Sequence, residues 1–273
     1  MSPALGAFLV VGFVCSSWSL ATALDDSWPE GTLTYTMIHD SEGEIGVQTV
    51  ISKRFGKDVF IKIDEQVDVS KFGVAVYHSK AERWERWRDN RLVSFKSVYT
   101  ERCAAGVSFF ASLTGHDKIC EHDQYEMPME VHAWAEHEGF TIKGARLFDQ
   151  PTHCIKAPPA IVTANFLNPR FADRTQPLGL IDSTTGELKQ RTFRSVKPTE
   201  KGIDTSETRQ YIYLGDPRAL SDPNRVLSYD ENGIRQSMRI EESGVTVSRQ
   251  SISKQSTVNP SEWDIPKTKR QCR

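Results

Sequence analysis

The stretch Ala81–Phe95, "AERWERWRDNRLVSF", packs two tryptophans and four arginines beside two glutamates before it enters an alternating apolar segment. Asp89 and Asn90 both tolerate a left-handed backbone, so the pair is a candidate two-residue turn. Ahead of it, Trp84, Arg86 and Arg88 share one parity, and Glu85 and Trp87 the other. After it, Leu92 and Ser94 alternate with Val93 and Phe95. Successive side chains of an extended chain point to opposite faces. The stretch therefore reads as a β-hairpin. One indole belongs in the core; the other, with its arginines, faces solvent or a cleft.

The same period of two runs outward in both directions. Leu33, Tyr35 and Met37 share a face, "DSEGE" turns the chain, and Ile45, Val47 and Ile51 follow at even spacing. Val59, Ile61, Ile63, Val67 and Val69 keep one parity, and Phe72, Val74 and Val76 alternate again after a break at Ser70-Lys71. Met129, Val131, Ala133 and Ala135 resume the pattern, "HEG" turns, and Phe140 and Ile142 follow. Further on, "RQYIYLG" is a strand. "VLSYDENGIRQSMRI" is a hairpin in which Asn232-Gly233 suits a type I′ turn and Ile234, Gln236, Met238 and Ile240 alternate. Short turns between successive strands make neighbours antiparallel. The expected fold is mainly β: one large antiparallel sheet curled into a half-barrel or barrel. Its middle, Ala157 to Glu187, is irregular, with room for a short helix in "APPAIVTANFL" that Asn168-Pro169 would end.

Composition sets the bounds. The chain has 273 residues, 38% hydrophobic and 26% charged, enough for a sizeable core. With 34 basic and 36 acidic side chains the net charge is −2, which gives no footprint for nucleic acid. Residues 1–23 read as a signal peptide: Ser2 to Leu24 carry no charge, "ALGAFLVVGFVC" is the apolar core, and Ala21-Thr22-Ala23 is a small-x-small cleavage pattern. An uncleaved anchor is the rival reading. Residues 24–273 then form a single β-rich domain, with no transmembrane span after the leader is removed, and an exported location, periplasmic or secreted. Cleavage removes Cys15 and leaves Cys103, Cys120, Cys154 and Cys272. An even count in an exported chain points to two disulfides. Of the three pairings, Cys103–Cys120 is the favoured local bridge, stapling an excursion over about 103–124. Cys154–Cys272 would then tether the basic, otherwise loose tail "KTKRQCR".

The segments "ERWERWRDNRLVSF", "EIGVQTV" and "TANFLNP…PLGLIDSTTGEL" together resemble an exported bacterial family known as domain of unknown function 6134, over most of residues 31 to 250. The resemblance implies an antiparallel β protein exported across the inner membrane, and it implies no activity. Two departures stand out. The hairpin turn holds Asn90 where the resemblance leads one to expect glycine. The middle motif holds Ala164-Asn165 where it leads one to expect Trp-Asn.

The sequence lacks a nucleophile elbow, H-E-x-x-H, P-loop, dinucleotide fingerprint and C-x-x-C, so no catalytic residue and no cofactor is assigned. "GHDKICEHD" brings His116, Asp117, Cys120, Glu121, His122 and Asp123 together, but an oxidised Cys120 offers no thiolate, so no metal site is assigned. His132 and His137 flank a turn and are read as surface residues. In the opening hairpin the carboxylates and arginines read as cross-strand ion pairs on a solvated face, with tryptophan rings beneath guanidinium groups. If the protein has a ligand site, it is expected at Glu82, Trp84, Glu85, Arg86, Trp87, Arg88 and Asn165. The apolar faces are enough to line a hollow for a lipid or other amphipathic ligand, and equally enough to fill a dry core, which is the simpler reading. The reading that results is a non-enzymatic envelope protein with an amphipathic ligand. Its rivals are a hydrolase using Glu82 or Glu85 with an arginine, and a structural or partner-binding module.

Overall fold

The structure, a computed structural model, describes residues 30–273 except 72–73, 104–127, 145–152, 160, 168–176, 196–208, 215–223, 242, 256–257 and 273. The signal peptide, the segment "GHDKICEHD" and the Cys103–Cys120 pairing therefore lie outside the described residues.

Among the described residues, fifteen strands join into one sheet. They are β1 (Gly31–His39), β2 (Gly43–Phe55), β3 (Asp58–Lys71), β4 (Val74–Arg88), β5 (Arg91–Cys103), β6 (Met129–Ala135), β7 (Phe140–Gly144), β8 (His153–Ala157), β9 (Ile161–Thr163), β10 (Leu178–Ile181), β11 (Leu188–Ser195), β12 (Arg209–Leu214), β13 (Arg225–Tyr229), β14 (Arg235–Ile240) and β15 (Val245–Ser253). The order is β8-β7-β6-β5-β4-β3-β2-β1-β15-β14-β13-β12-β11-β10-β9. Every strand thus pairs with its neighbour in sequence except β8 and β9, which end the sheet, while β1 joins β15. That single long-range pairing curls the sheet. Every pair is antiparallel except β9 with β10, which run parallel. The expected helix in "APPAIVTANFL" is replaced by β9, a β-branched run that finds a partner in Gly179–Ile181.

The two ends of the sheet meet and nearly close a barrel. β9 comes against β5, and the turn between β10 and β11 lies on β7. At that seam a Cβ added to Gly144 would stand 2.2 Å from the Thr185 carbonyl oxygen, so only glycine lets the chains approach. Asp182 builds this turn by accepting from the backbone N–H groups of Thr184 and Thr185 and pairing with Lys189 at 2.9 Å.

The inner face holds the core: Tyr35, Ile61, Ile63, Trp87, Phe95, Val131, Ile142, Tyr213, Leu227 and Tyr229 are all nearly inaccessible. Asp89 and Asn90 have φ of 47° and 60°, so the opening hairpin turns as expected. The Asn232-Gly233 hairpin does not. Only Gly233 has positive φ, at 73°; the loop is instead held by the Asp230 carboxylate, which accepts from Asn232 and Ile234 N–H.

Bulges account for the other departures, because one extra residue reverses the parity of everything beyond it. Met37 faces Gly46 but Ile38 faces Glu44, so Ile45 is extra. Past it Gln48, Val50 and Ser52 point inward, and Val47, expected inside, is 41% exposed. Val93 is extra between β4 and β5, so Leu92 and Phe95 both face inward. Gln236 is extra between β13 and β14, so it turns out and Arg235 turns in.

The C-terminal residues are a strap, not a loose tail. They cross the outer face of β3–β7 with Trp263 buried. Its indole donates to the Ile61 carbonyl at 2.9 Å and meets the Phe60 ring edge-on at 5.4 Å. Lys96 donates to the Glu262 carbonyl and Lys143 to that of Gln271. Cys272 then bonds Cys154 on β8. His137 is exposed, but His132 is buried on β6, where the strap's second 3-10 turn (Lys267–Arg270) packs, so it is not a surface residue. Among the described residues no helix is long and apolar enough to cross a membrane.

Candidate ligand cavity

Three bulges aim polar side chains into the interior at one place. The Ile45 bulge brings in Gln48, the Gln236 bulge brings in Arg235, and an extra Gln250 on β15 sets Arg249 opposite Tyr35. Burying these groups requires partners, and they find each other. The Arg235 guanidinium lies 4.4 Å from the centre of the Tyr35 ring. It donates to the Asn165 carbonyl at 2.7 Å and to the Gln48 amide oxygen. Tyr35 donates back to the Arg235 carbonyl at 3.0 Å. Burial pushes the Tyr35 hydroxyl above the ordinary tyrosine range, against the pull of Arg235. The Gln48 amide donates to Glu65 at 2.7 Å, and Arg83 reaches Glu65 at 3.4 Å.

The segment after β9 locks into this knot. The Asn165 amide donates to both oxygens of Glu85 at 2.7 Å, and its oxygen accepts from Leu167 N–H at 2.9 Å. Phe166 sits at φ 51°, a left-handed conformation that costs an L-residue energy and is held by its surroundings. Its carbonyl accepts from Tyr229 at 2.7 Å, and its ring packs on Tyr213 at 5.2 Å. Trp87 donates to Glu85 at 2.8 Å. Burial holds the Glu85 carboxyl above the usual carboxylate range, although these donors pull it down.

Beside the knot the barrel is not filled. A cavity of about 220 Å³ lies against it. The interior is thus neither the dry core expected from sequence nor a large lipid chamber. The polar wall is Gln48, Glu65, Arg83, Asn165, Arg225 and Arg235. The apolar wall includes Met37, Ile45, Val67, Met238, Val245 and Val247. Half-buried residues stand on several sides of it: Glu65, Val67, Arg83, Ala164, Met238 and Ile240.

Tyr77 and Tyr99 close a third side, their hydroxyls 3.1 Å apart. Tyr99 donates to Glu101 at 3.0 Å. Glu101 is 6% exposed, and burial pushes its carboxyl up to about 7. The folded state therefore holds this proton more tightly than the unfolded chain. Its contribution to stability is complete below about pH 4.3, the ordinary glutamate value, and is lost as pH rises through about 7. The loss is on the order of 3 kcal/mol. Urea titrations at pH 4.5 and 7.5 should show wild type losing stability over that interval, and Glu101→Gln losing much less. Glu85 titrates in the same direction, so some slope remains. An identical slope in the variant rules Glu101 out as its source.

The structure separates the residues singled out in the sequence. Glu85, Trp87 and Asn165 meet inside. Glu82, Trp84, Arg86 and Arg88 are on the outer face. There Glu82 pairs with Lys80, and Asp58 takes both Arg86, at 2.7 Å, and Arg88, at 2.6 Å. Trp84 carries Lys96 at 4.4 Å and Lys62 at 5.7 Å, lysines rather than arginines. Glu85 is not on the solvated face but fully buried. Sequence reasoning missed Gln48, Glu65, Arg83 and Arg235. The legible signal was a polar residue at an inward parity, as with Glu65 and Arg83 on otherwise apolar faces. For Gln48 and Arg235 the bulges hid even that.

The profile of one family, Domain of unknown function (DUF6134), matches residues 35–250. Among solved structures, a beta-barrel-like protein of domain of unknown function DUF1849 from Brucella abortus is similar, with 9% identity, 81% of this chain and 95% of that chain covered, and a TM-score of 0.49. No curated protein matches.

Proposed function

We propose, for a chain that belongs to the DUF6134 family, that it is an exported, non-enzymatic binding protein of the cell envelope, holding a small amphipathic molecule inside its rolled sheet. The observation that carries this reading is the cavity with one polar and one apolar wall. A folding protein gains most by filling such a space with its own side chains, so an unfilled, two-sided hollow suits a ligand. The Cys154–Cys272 bridge supports an oxidising compartment. Binding is favoured over hydrolysis because the two carboxylates considered for catalysis are committed elsewhere. Glu82 is paired with Lys80 on the outer face, and Glu85 is held by Asn165 and Trp87 behind the cavity wall.

Native mass spectrometry of the protein purified gently from the envelope fraction tests this. The expected spectrum contains an adduct of a few hundred daltons or less that disappears on partial unfolding. Ala164, half-buried on the cavity wall, gives the control. Ala164→Trp should fill the space and abolish the adduct while the protein still folds. A bare mass for the wild type, together with no binding of any added amphiphile, removes the reading.

A further inference from the structure

We infer that the ligand is a small anionic amphiphile of about six to eight carbons, with its head at Arg83 and Arg235 and its tail against Met37, Val67, Met238 and Val247. This rests on the binding role proposed above and specifies its chemistry.

Charge comes first. Among the described residues, the cavity wall carries the guanidinium groups of Arg83 and Arg235 beside the carboxylate of Glu65. Glu65 is shared between Gln48 and Arg83. Arg235 is 1% exposed and donates only to neutral acceptors, the Asn165 carbonyl and the Gln48 amide oxygen. A buried cation without an anionic partner is costly. An acid head group entering beside it supplies the missing charge, and guanidinium forks suit carboxylate and phosphate geometry.

Orientation follows from register. Tyr35 stands opposite Gln48, and Gln48 opposite Glu65: this is the polar rung. Two residues along, Met37 stands opposite Val247, and Val247 opposite Met238: this is an apolar rung. Val67 lies on the same rung, opposite Gly46. Val245, opposite Ile240, lies one step further, and there Ile240 stands opposite Arg225. Each step is roughly 7 Å along a strand. A ligand lying along this axis has its head at the polar rung and its tail among methionine, valine and isoleucine side chains.

Volume sets the size. At roughly 30 Å³ per small heavy-atom group, the 220 Å³ cavity encloses about seven such groups. Longer tails exceed it.

Calorimetric titration of the delipidated full-length mature protein with hexanoate, hexanol and hexylammonium tests the charge. Hexanoate should bind at least tenfold more tightly than either of the others. A carboxylate series from butyrate to decanoate should gain about fourfold per methylene and level off near six to eight carbons. Arg83→Gln, or Arg83→Met if the first does not fold, should shrink the preference for hexanoate over hexanol. Hexanol or hexylammonium binding as well as hexanoate overturns the inference and leaves the binding role standing. An undiminished gain out to decanoate overturns the size limit. Failure of every member to bind overturns the binding role itself.

Discussion

Arg235→Ala should lose about 2–5 kcal/mol of folding free energy, from two buried acceptors left without a donor and from the emptied volume. Arg235 ties three strands to the segment after β9: β14 by its own backbone, β2 through Gln48 and β1 through the Tyr35 ring. It ties that segment through the Asn165 carbonyl. Truncation leaves two buried acceptors, the Asn165 carbonyl and the Gln48 amide oxygen, without their donor. Each costs about 1–3 kcal/mol, and the emptied volume adds to it. Arg235→Met separates the two effects. It restores length and packing but no hydrogen bonds, so it should recover only part of the loss. Urea unfolding followed by tryptophan fluorescence, with linear extrapolation, gives the numbers. A loss below about 1 kcal/mol in Arg235→Ala would falsify the view that this guanidinium holds the interior together.

The fold class was legible because it depends on a property repeated many times. Dozens of alternating positions report the same two-residue period, and an error at one does not spoil the rest. Hence strands β1 to β7, the opening hairpin and the turns at 136–139, 182–187 and 241–244 emerge from the sequence. The interior was legible only in part because it depends on a few single-residue insertions. Alternation says which residues share a face until a bulge intervenes, and Ile45, Val93 and Gln236 leave no signature in composition. Arg235 sits one place from where a regular strand would put an exposed arginine. Gln48 lies between two residues, Val47 and Ile51, that were expected inside and are not. Glu85 is the reverse case: its parity with Trp87 was read correctly, but the surrounding arginines suggested solvent. The closed interior, with Asn165 arriving from 80 residues away, decided otherwise. The tail was legible in part: the Cys154–Cys272 bridge expected to tether "KTKRQCR" is present, whereas the docking of Trp263 and of the Glu262 and Gln271 carbonyls left no sign in the alternation.

Breaking the Cys154–Cys272 bridge should have the largest effect, about 5 kcal/mol by the chain-entropy account for a bridge spanning 118 residues. For a chain of this size that corresponds to a fall of roughly 10–20 °C in melting temperature. The bridge acts mostly on the unfolded chain, yet its place in the folded sheet matters too. Cys154 is on β8, the end strand of the sheet, and an end strand presents unpaired backbone groups to any other chain. The strap, fixed to β8 by the bridge and to the outer face by Trp263, lies beside that edge. Cys154→Ser with Cys272→Ser should therefore melt earlier and also aggregate more readily through β8. Trp263 should stay docked, because its contacts with Ile61 and Phe60 do not involve the bridge. Hydrogen exchange reads the two ends separately: protection should fall in 153–157 and 267–272 and persist around 260–265. Equal melting temperatures with and without a reductant, once free thiols confirm reduction, sink this account and leave Trp263 as the strap's sole anchor of consequence.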